Sequence, residues 1–314
     1  MNRDLDGIVV LRRELLAQGY TDPQIRALVR RGQLVRVRHG SYAHGTVWRS
    51  LSSIDQYRVV IRAVLKRAHP SAVATHISAA VERGAPTWGI LLDEVHVTRT
   101  DGKTGRREAG IDHHRGQLDE SAVEVVNGVR VSPAARCAVE VTTLTTVEPA
   151  LITVNGMLNA GMMTVEEFAA EAATCKHWPD TLATNIVLRI CDVRIQSVAE
   201  SRTVFLCWAQ HLPCPEPQVP VADEHGLVFA LADFVWEEYG VFLEFDGRIK
   251  YELFRREGET LEEYVLREKR REEQICLLTG WICIRITWQD LENPVRTARR
   301  IRRILDSRRR PLEA

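Results

Sequence analysis

Asp233, Glu244, Asp246 and Lys250 fall within eighteen residues, in the run ADFVWEEYGVFLEFDGRIK. Ala230, Leu231, Phe234, Val235 and Trp236 form one β-prone stretch and Val241, Phe242, Leu243 and Phe245 another, with Glu237, Glu238, Tyr239 and Gly240 as the turn between them. If the hairpin is centred on Glu238 and Tyr239, Asp233 and Glu244 lie opposite each other, with Cβ atoms about 4.5–5.5 Å apart. Two carboxylates that close repel, so the pair calls for a shared proton or a divalent cation. Mg²⁺ suits it, since that ion is held by one or two carboxylates and keeps its other positions for water and phosphate. Mn²⁺ is the natural substitute. Asp246 shares the face of Glu244 by the two-residue period of a strand and is a weaker third ligand.

The elements that must carry these groups lie on either side. Ser197 and Glu200 have the spacing of a capping box at a helix start, and LPCPEPQ leads into an extended strand where Gln218 is a further polar candidate. After the hairpin, Thr260 and Glu263 start a helix bearing Arg267, Lys269, Arg270 and Arg271, and Trp281 to Trp288 reads as a last strand. Acidic residues are interleaved with those cations, which is the pattern of a salt-bridged helix surface, so Arg271 is a weaker candidate for DNA contact.

In order and spacing, Glu200 in SVAES, Asp233 in ADF, Glu244, Asp246 and Gly247 in EFDG, Arg271 with Glu272, Gly280 with Trp281, and Arg285 before Trp288 resemble the PD-(D/E)xK nuclease superfamily, in its very-short-patch-repair (Vsr) endonuclease-like branch. The resemblance covers roughly residues 197–305. It implies a restriction-endonuclease-like mixed sheet flanked by helices. Asp233, Glu244 and the backbone carbonyl of Phe245 would hold the metal, and Glu200 and Lys250 would complete the catalytic set. The branch commonly has histidine where Lys250 stands.

The N-terminus suggests what brings DNA to such a site. Ile8, Leu11, Leu15 and Leu16 fall at helical spacing up to Gly19. Thr21 and Gln24 box the start of a second helix with Pro23 in its first turn and Ile25, Leu28 and Val29 as its apolar stripe. In LVRVRHGSYA, Val35 and Val37 alternate with Arg36 and Arg38 before a turn at His39 and Gly40. Helix, turn, helix and basic hairpin make a winged helix-turn-helix, and Arg26, Arg30, Arg31, Arg36 and Arg38 are its candidate double-stranded DNA contacts. The phrase GQLVRVRHGSYA also resembles the AbiEi-like antitoxins of type IV toxin–antitoxin systems. So do THISAAVERGAPT, VHVT, GIDHH and NGVRVSPAARCAVEVTTL further on, out to about residue 190. That likeness implies an antitoxin-like middle domain and makes a cognate toxin a candidate partner. His76, His113 and His114 invite a metal or general-base reading. A hydrogen-bonded histidine at a helix start is the simpler account of His76, and the neighbours His113 and His114 face opposite sides of a strand.

The expected fold is therefore α+β and multi-domain: a winged helix over 1–48, the middle domain and a helical bridge over 49–192, and the nuclease-like domain over 193–314. Total formal charge is zero, yet residues 1–50 carry nine Arg against four Asp/Glu and residues 295–310 carry eight Arg against one Asp. Such basic ends suit phosphate contact. Seven cysteines without CxxC spacing read as reduced thiols, and neither a signal peptide nor an apolar span is legible, so a cytoplasmic protein without membrane association is expected. No glycine-rich nucleotide loop supports ATP dependence. Two functions compete: a metal-dependent DNA endonuclease acting in defence against phage or other foreign DNA, and a non-catalytic antitoxin-like repressor that retains a degenerate nuclease fold.

Overall fold

The computed structural model describes residues 5–103, 109–246 and 258–308. The chain is a mixed α and β protein with three sheets and divides into two compact units, Met1–Leu188 and Arg189–Ala314.

The first unit opens with β1 (Val10–Leu11), α1 (Arg12–Ala17), α2 (Asp22–Arg30), β2 (Leu34–Arg38), β3 (Ser41–His44) and α3 (Gly45–Ser50). The three strands form an antiparallel sheet in the order β1-β3-β2. The Thr21–Gln24 capping box and Pro23 start α2 as their residue types demand, and Leu15, Ile25 and Leu34 close a small core beneath it. Ile8 and Leu11 do not belong to the first helix: Val10 and Leu11 are extended and pair with Tyr42 and Ser41, so the helix begins only at Arg12. Strand pairing satisfies the backbone of these two residues, and Leu11 joins a core with Leu5, Val9, Leu51, Val59 and Ala63. The first strand is thus packed directly on the next helix, α4 (Ser53–Leu65).

The rest of the unit is β4 (Ala72–Ala74), α5 (His76–Arg83), β5 (Val95–Arg99), β6 (Ile111–His114), β7 (Glu124–Val126), β8 (Val129–Val131), α6 (Ala134–Leu144), α7 (Val147–Asn159) and α8 (Val165–Thr174). Helix α9 (Leu182–Ile190) crosses the division. The strands form a five-stranded mixed sheet, β6-β5-β4-β8-β7, in which β5 and β6 run parallel. They pair His96 with Asp112 and Thr98 with His114.

The second unit contains α10 (Val198–Ala209), β9 (Glu216–Ala222), β10 (Val228–Trp236), β11 (Val241–Phe245), α11 (Leu261–Thr279), β12 (Ile282–Ile286), α12 (Trp288–Leu291) and α13 (Pro294–Arg308). Its sheet order is β12-β11-β10-β9, with β9, β10 and β11 antiparallel and β12 parallel to β11. Glu237–Tyr239 make one 3-10 turn and Gly240 takes φ +58°, the left-handed conformation that lets the chain reverse. All five residues of β11 are buried, because Phe242 packs with Ile275 of α11 while Phe245 meets the edge of the Trp288 ring from α12. A strand covered on both faces reads as a continuous apolar run, which makes the glutamate within it conspicuous.

Basic residues near the C-terminus are partly structural. Arg302 donates to the Gln210 carbonyl, Arg300 to that of Arg285, and Arg308 to that of Gly280. Arg296, Arg299 and Arg303 line a separate open groove.

Candidate functional site

The register of β10 on β11 pairs Phe234 with Leu243, Val235 with Phe242 and Trp236 with Val241, and one further step sets Asp233 beside Glu244. The pair lies in the interior at 8% and 7% exposure, so its two charges are screened by little water. Asp233 Oδ2 accepts the Phe245 amide at 2.8 Å. Glu244 Oε2 accepts from Arg271 Nη2 at 3.0 Å, and Arg271 also meets Glu268 at 3.1 Å. Arg271 is therefore held by these acids at the cleft and is not a solvated cation of the helix surface. Tyr264, Glu268, Arg271 and Ile275 follow helical spacing, so the arginine lies on the inward face of α11 and balances the acid.

The polar row continues across the sheet. Ala232 pairs with Val219 and Phe234 with Pro217, which leaves Gln218 beside Asp233, and Glu244 pairs with Arg285. Gln218 has φ +53°, a left-handed conformation that is unusual for a residue with a side chain and tends to occur where a site over-determines the backbone. Its Nε2 donates to Glu200 Oε2 at 3.1 Å. Glu200 is buried in the first turn of α10, where its oxygens also accept from the Gln196 amide and the Ser197 hydroxyl. Its carboxylate thus holds Gln218 and the helix start together. Asp246 is half-buried, 3.9 Å from Arg285. Among the described residues, no three His, Cys, Asp or Glu donors of this unit converge within 4.8 Å, so Asp246 does not join Asp233 and Glu244 in a three-carboxylate cage. Lys250 lies outside the described residues.

A cleft of about 60 Å³ is lined by the acids Glu244, Asp246 and Glu268 and the cations Lys269, Arg271 and Arg285, together with Phe245, Tyr264 and Val265. Two opposed carboxylates plus a neighbouring backbone carbonyl are a hard-oxygen donor set, which fits Mg²⁺ or Mn²⁺ with water and phosphate completing the shell. Lys269 is a cleft residue that sequence reasoning left among the surface charges.

The candidate DNA contacts divide in two. Arg26, Arg30, Arg31 and Arg36 are exposed, with Arg36 Nη2 2.7 Å from His39 Nδ1. Arg38 is half-buried and donates to the Gly110 carbonyl at 3.3 Å, so it ties the β2–β3 hairpin to the start of β6.

A second cluster lies in the first unit. His96 Nδ1 is 2.9 Å from His114 Nε2, which is 3.8 Å from Asp112 Oδ2. The His76 ring stacks on His114 with centroids 3.6 Å apart, and its Nδ1 meets Thr75 Oγ1 at 3.0 Å. His76, at φ +51°, donates its amide to Glu140 Oε2, which also accepts from the Ser132 hydroxyl. His96 and Asp112 escaped the sequence reading. The spacing of Asp112 and His114 by two was the available signal for a shared face.

Burial holds all three imidazoles neutral: His76 lies well below the ordinary value and His114 below it, while burial and the neighbouring His114 bring His96 to about 4. Asp112, Glu94 and Asp93 pull His96 the other way. Burial pushes Glu140 up, against Arg136. Metal-free protein is therefore sensitive to acid. Unfolded His96 takes up a proton between pH 6.5 and about 4 that the folded state refuses, so stability is complete above 6.5 and declines by about 3 kcal/mol as pH falls to about 4. The urea midpoint is expected to drop between pH 7.5 and 5, and less steeply in His96→Gln. Equal slopes in the two proteins would contradict this account.

No protein-family model matches the chain, and no curated protein matches it.

Proposed function

We propose that the chain is a DNA-binding, Mg²⁺-dependent endodeoxyribonuclease, in which the second unit cleaves phosphodiester bonds and the N-terminal helices and basic hairpin act as a winged helix on double-stranded DNA. The observation that carries this reading is the buried pair Asp233 and Glu244, directly opposed on the two central strands, with Glu244 opening onto a cleft of mixed acidic and basic side chains. The helix, three antiparallel strands, helix and parallel strand from α10 to β12 follow the order expected of the PD-(D/E)xK resemblance.

Asp233 and Glu244, with the Phe245 carbonyl, would hold the ion. When bound, Mg²⁺ polarises a non-bridging phosphate oxygen and acidifies a water. The Phe245 amide fixes the Asp233 carboxylate, and Glu200 steadies Gln218 beside it. Lys269 and Arg285 bring positive charge to the cleft, where an approaching phosphate and its developing charge are stabilised. By resemblance, the biological setting is defence against phage or other foreign DNA, with a cognate toxin as a candidate partner.

A non-catalytic repressor is the second reading, favoured by the ion pair between Arg271 and Glu244, which neutralises one of the two carboxylates without a metal. Purified chain incubated with supercoiled plasmid and Mg²⁺ or Mn²⁺ separates the two. Nicking is the expected outcome, whereas tight binding without cutting in either metal would favour the repressor.

DNA binding carries its own prediction. Each arginine on a phosphate adds about 1 to the slope of log affinity against log salt. Replacing Arg30 and Arg36 by alanine is expected to lower that slope by about 2, while Arg38→Ala leaves it near the wild-type value because Arg38 is committed to the Gly110 carbonyl. Fluorescence anisotropy at several salt concentrations reads both, and an unchanged slope in the double variant would count against the winged-helix reading.

A further inference from the structure

We propose that β5 and β6 carry a binding site for one divalent d-block cation of the Zn²⁺ type, held by His96 Nδ1, His114 Nε2 and the Asp112 carboxylate. These three atoms lie within 4.8 Å of one another, the one such convergence of His, Cys, Asp or Glu donors among the described residues. The parallel register creates it. His96 pairs with Asp112, and His114 follows two residues later on the same face of β6.

The distances suit such an ion. Imidazole nitrogens bind Zn²⁺ at about 2.0–2.1 Å, so two of them at angles of about 90–109° are separated by about 2.9–3.4 Å. The observed 2.9 Å between His96 and His114 falls at the lower edge of that interval. The Asp112 oxygen, 3.8 Å from His114 Nε2, has to close by a few tenths of an ångström, and its side chain is 30% exposed and has room to do so. The ring of His76, stacked on His114, fixes the orientation of one ligand from behind.

The donor set decides the class of ion. Two imidazoles and one carboxylate suit Zn²⁺, Fe²⁺, Co²⁺ or Ni²⁺, whereas Mg²⁺ and Ca²⁺ prefer all-oxygen shells. Three protein ligands leave one tetrahedral position for water or another small ligand. Both ligands of β6 come from the outer strand of the sheet, so the ion clamps that edge strand to β5. The site uses no residue of the second unit and stands or falls independently of nuclease activity.

The test uses the full chain carrying Asp233→Asn and Glu244→Gln, which removes the acid pair as a competing site. Co²⁺ followed by Zn²⁺ is titrated while visible absorption and heat are recorded. The expected result is one equivalent of Co²⁺ with ligand-field bands and no intense thiolate band, displaced by Zn²⁺ and indifferent to excess Mg²⁺. Adding His114→Gln or Asp112→Asn is expected to weaken Zn²⁺ binding at least about 100-fold and to abolish the rise in melting temperature that Zn²⁺ gives its parent. If His114→Gln does not fold, Asp112→Asn, at a partly exposed position, decides alone. Zn²⁺ affinity unchanged in Asp112→Asn, or a cobalt spectrum dominated by thiolate, overturns the proposal.

Discussion

Asp233→Asn and Glu244→Gln are each expected to cut metal-dependent plasmid nicking by at least about 100-fold, since a bound cation contributes several kcal/mol to the stabilisation of transition-state charge and each 1.4 kcal/mol is a factor of ten. The substitutions keep shape and change charge. Asparagine at 233 still offers an oxygen to the Phe245 amide, and glutamine at 244 still offers one to Arg271. Folding is therefore expected to survive. Like charges directly opposite on adjacent strands are destabilising, so in metal-free protein Asp233→Asn is expected to melt at or above the wild-type temperature, while Glu244→Gln, which also gives up its ion pair with Arg271, is expected to melt slightly below it. Loss of cleavage without a matching loss of stability separates a functional acid pair from a structural one. If both acids serve one ion, as proposed, the double variant is expected to be about as inactive as either single one. Nicking at wild-type rate in both variants would remove these residues from the chemistry, and a fall in melting temperature to match the fall in activity would reassign them to folding.

Why this pair was legible from residue types, and the histidine cluster was not, follows from how each is brought together. Asp233 and Glu244 belong to one hairpin, and a turn centred between Glu238 and Tyr239 fixes their register within a dozen residues; the observed pairing of Trp236 with Val241 has that centre. His96 and His114 are eighteen residues apart and meet only through parallel pairing of β5 with β6, which no local pattern encodes. Arg271 illustrates a signal that was present and outweighed: its spacing from Tyr264 and Ile275 puts it on the buried stripe of α11, but the surrounding run of mixed charges reads as solvated surface. At the N-terminus, Ile8 and Leu11 have helical spacing with Leu15, yet Ile8 ends a short 3-10 turn and Leu11 pairs with Ser41 of β3 instead of adding a helical turn. The basic hairpin was readable because its alternation and its Gly40 turn are both local, whereas the attachment of Arg38 to Gly110 spans 72 residues.

The largest expected effect on stability lies in the first unit, at Arg62. Its Nη1 is 2.5 Å from Glu82 Oε1, with side chains only 4% and 0% exposed, and its Nη2 donates to the Asn127 carbonyl at 2.8 Å. Asn127 Nδ2 in turn donates to the Glu82 carbonyl at 2.9 Å. One ion pair thus joins α4, α5 and the turn between β7 and β8. Removing a single partner of such a pair leaves a buried charge with water excluded from it, at a cost of about 3–5 kcal/mol. For a cooperative unit of this size that corresponds to a fall in melting temperature of roughly 10 °C. Arg62→Ala is accordingly expected to melt far below wild type in differential scanning calorimetry, and Glu82→Ala similarly. Replacing both with apolar residues of like volume, Arg62→Met with Glu82→Leu, removes the desolvation penalty together with the attraction, and is expected to recover most of the loss. That non-additivity is the signature of a buried pair rather than of two separate packing defects. A double variant that loses the sum of the single effects would refute it, as would an Arg62→Ala protein melting within about 2 °C of wild type, which is the response expected of a surface pair worth less than 1 kcal/mol.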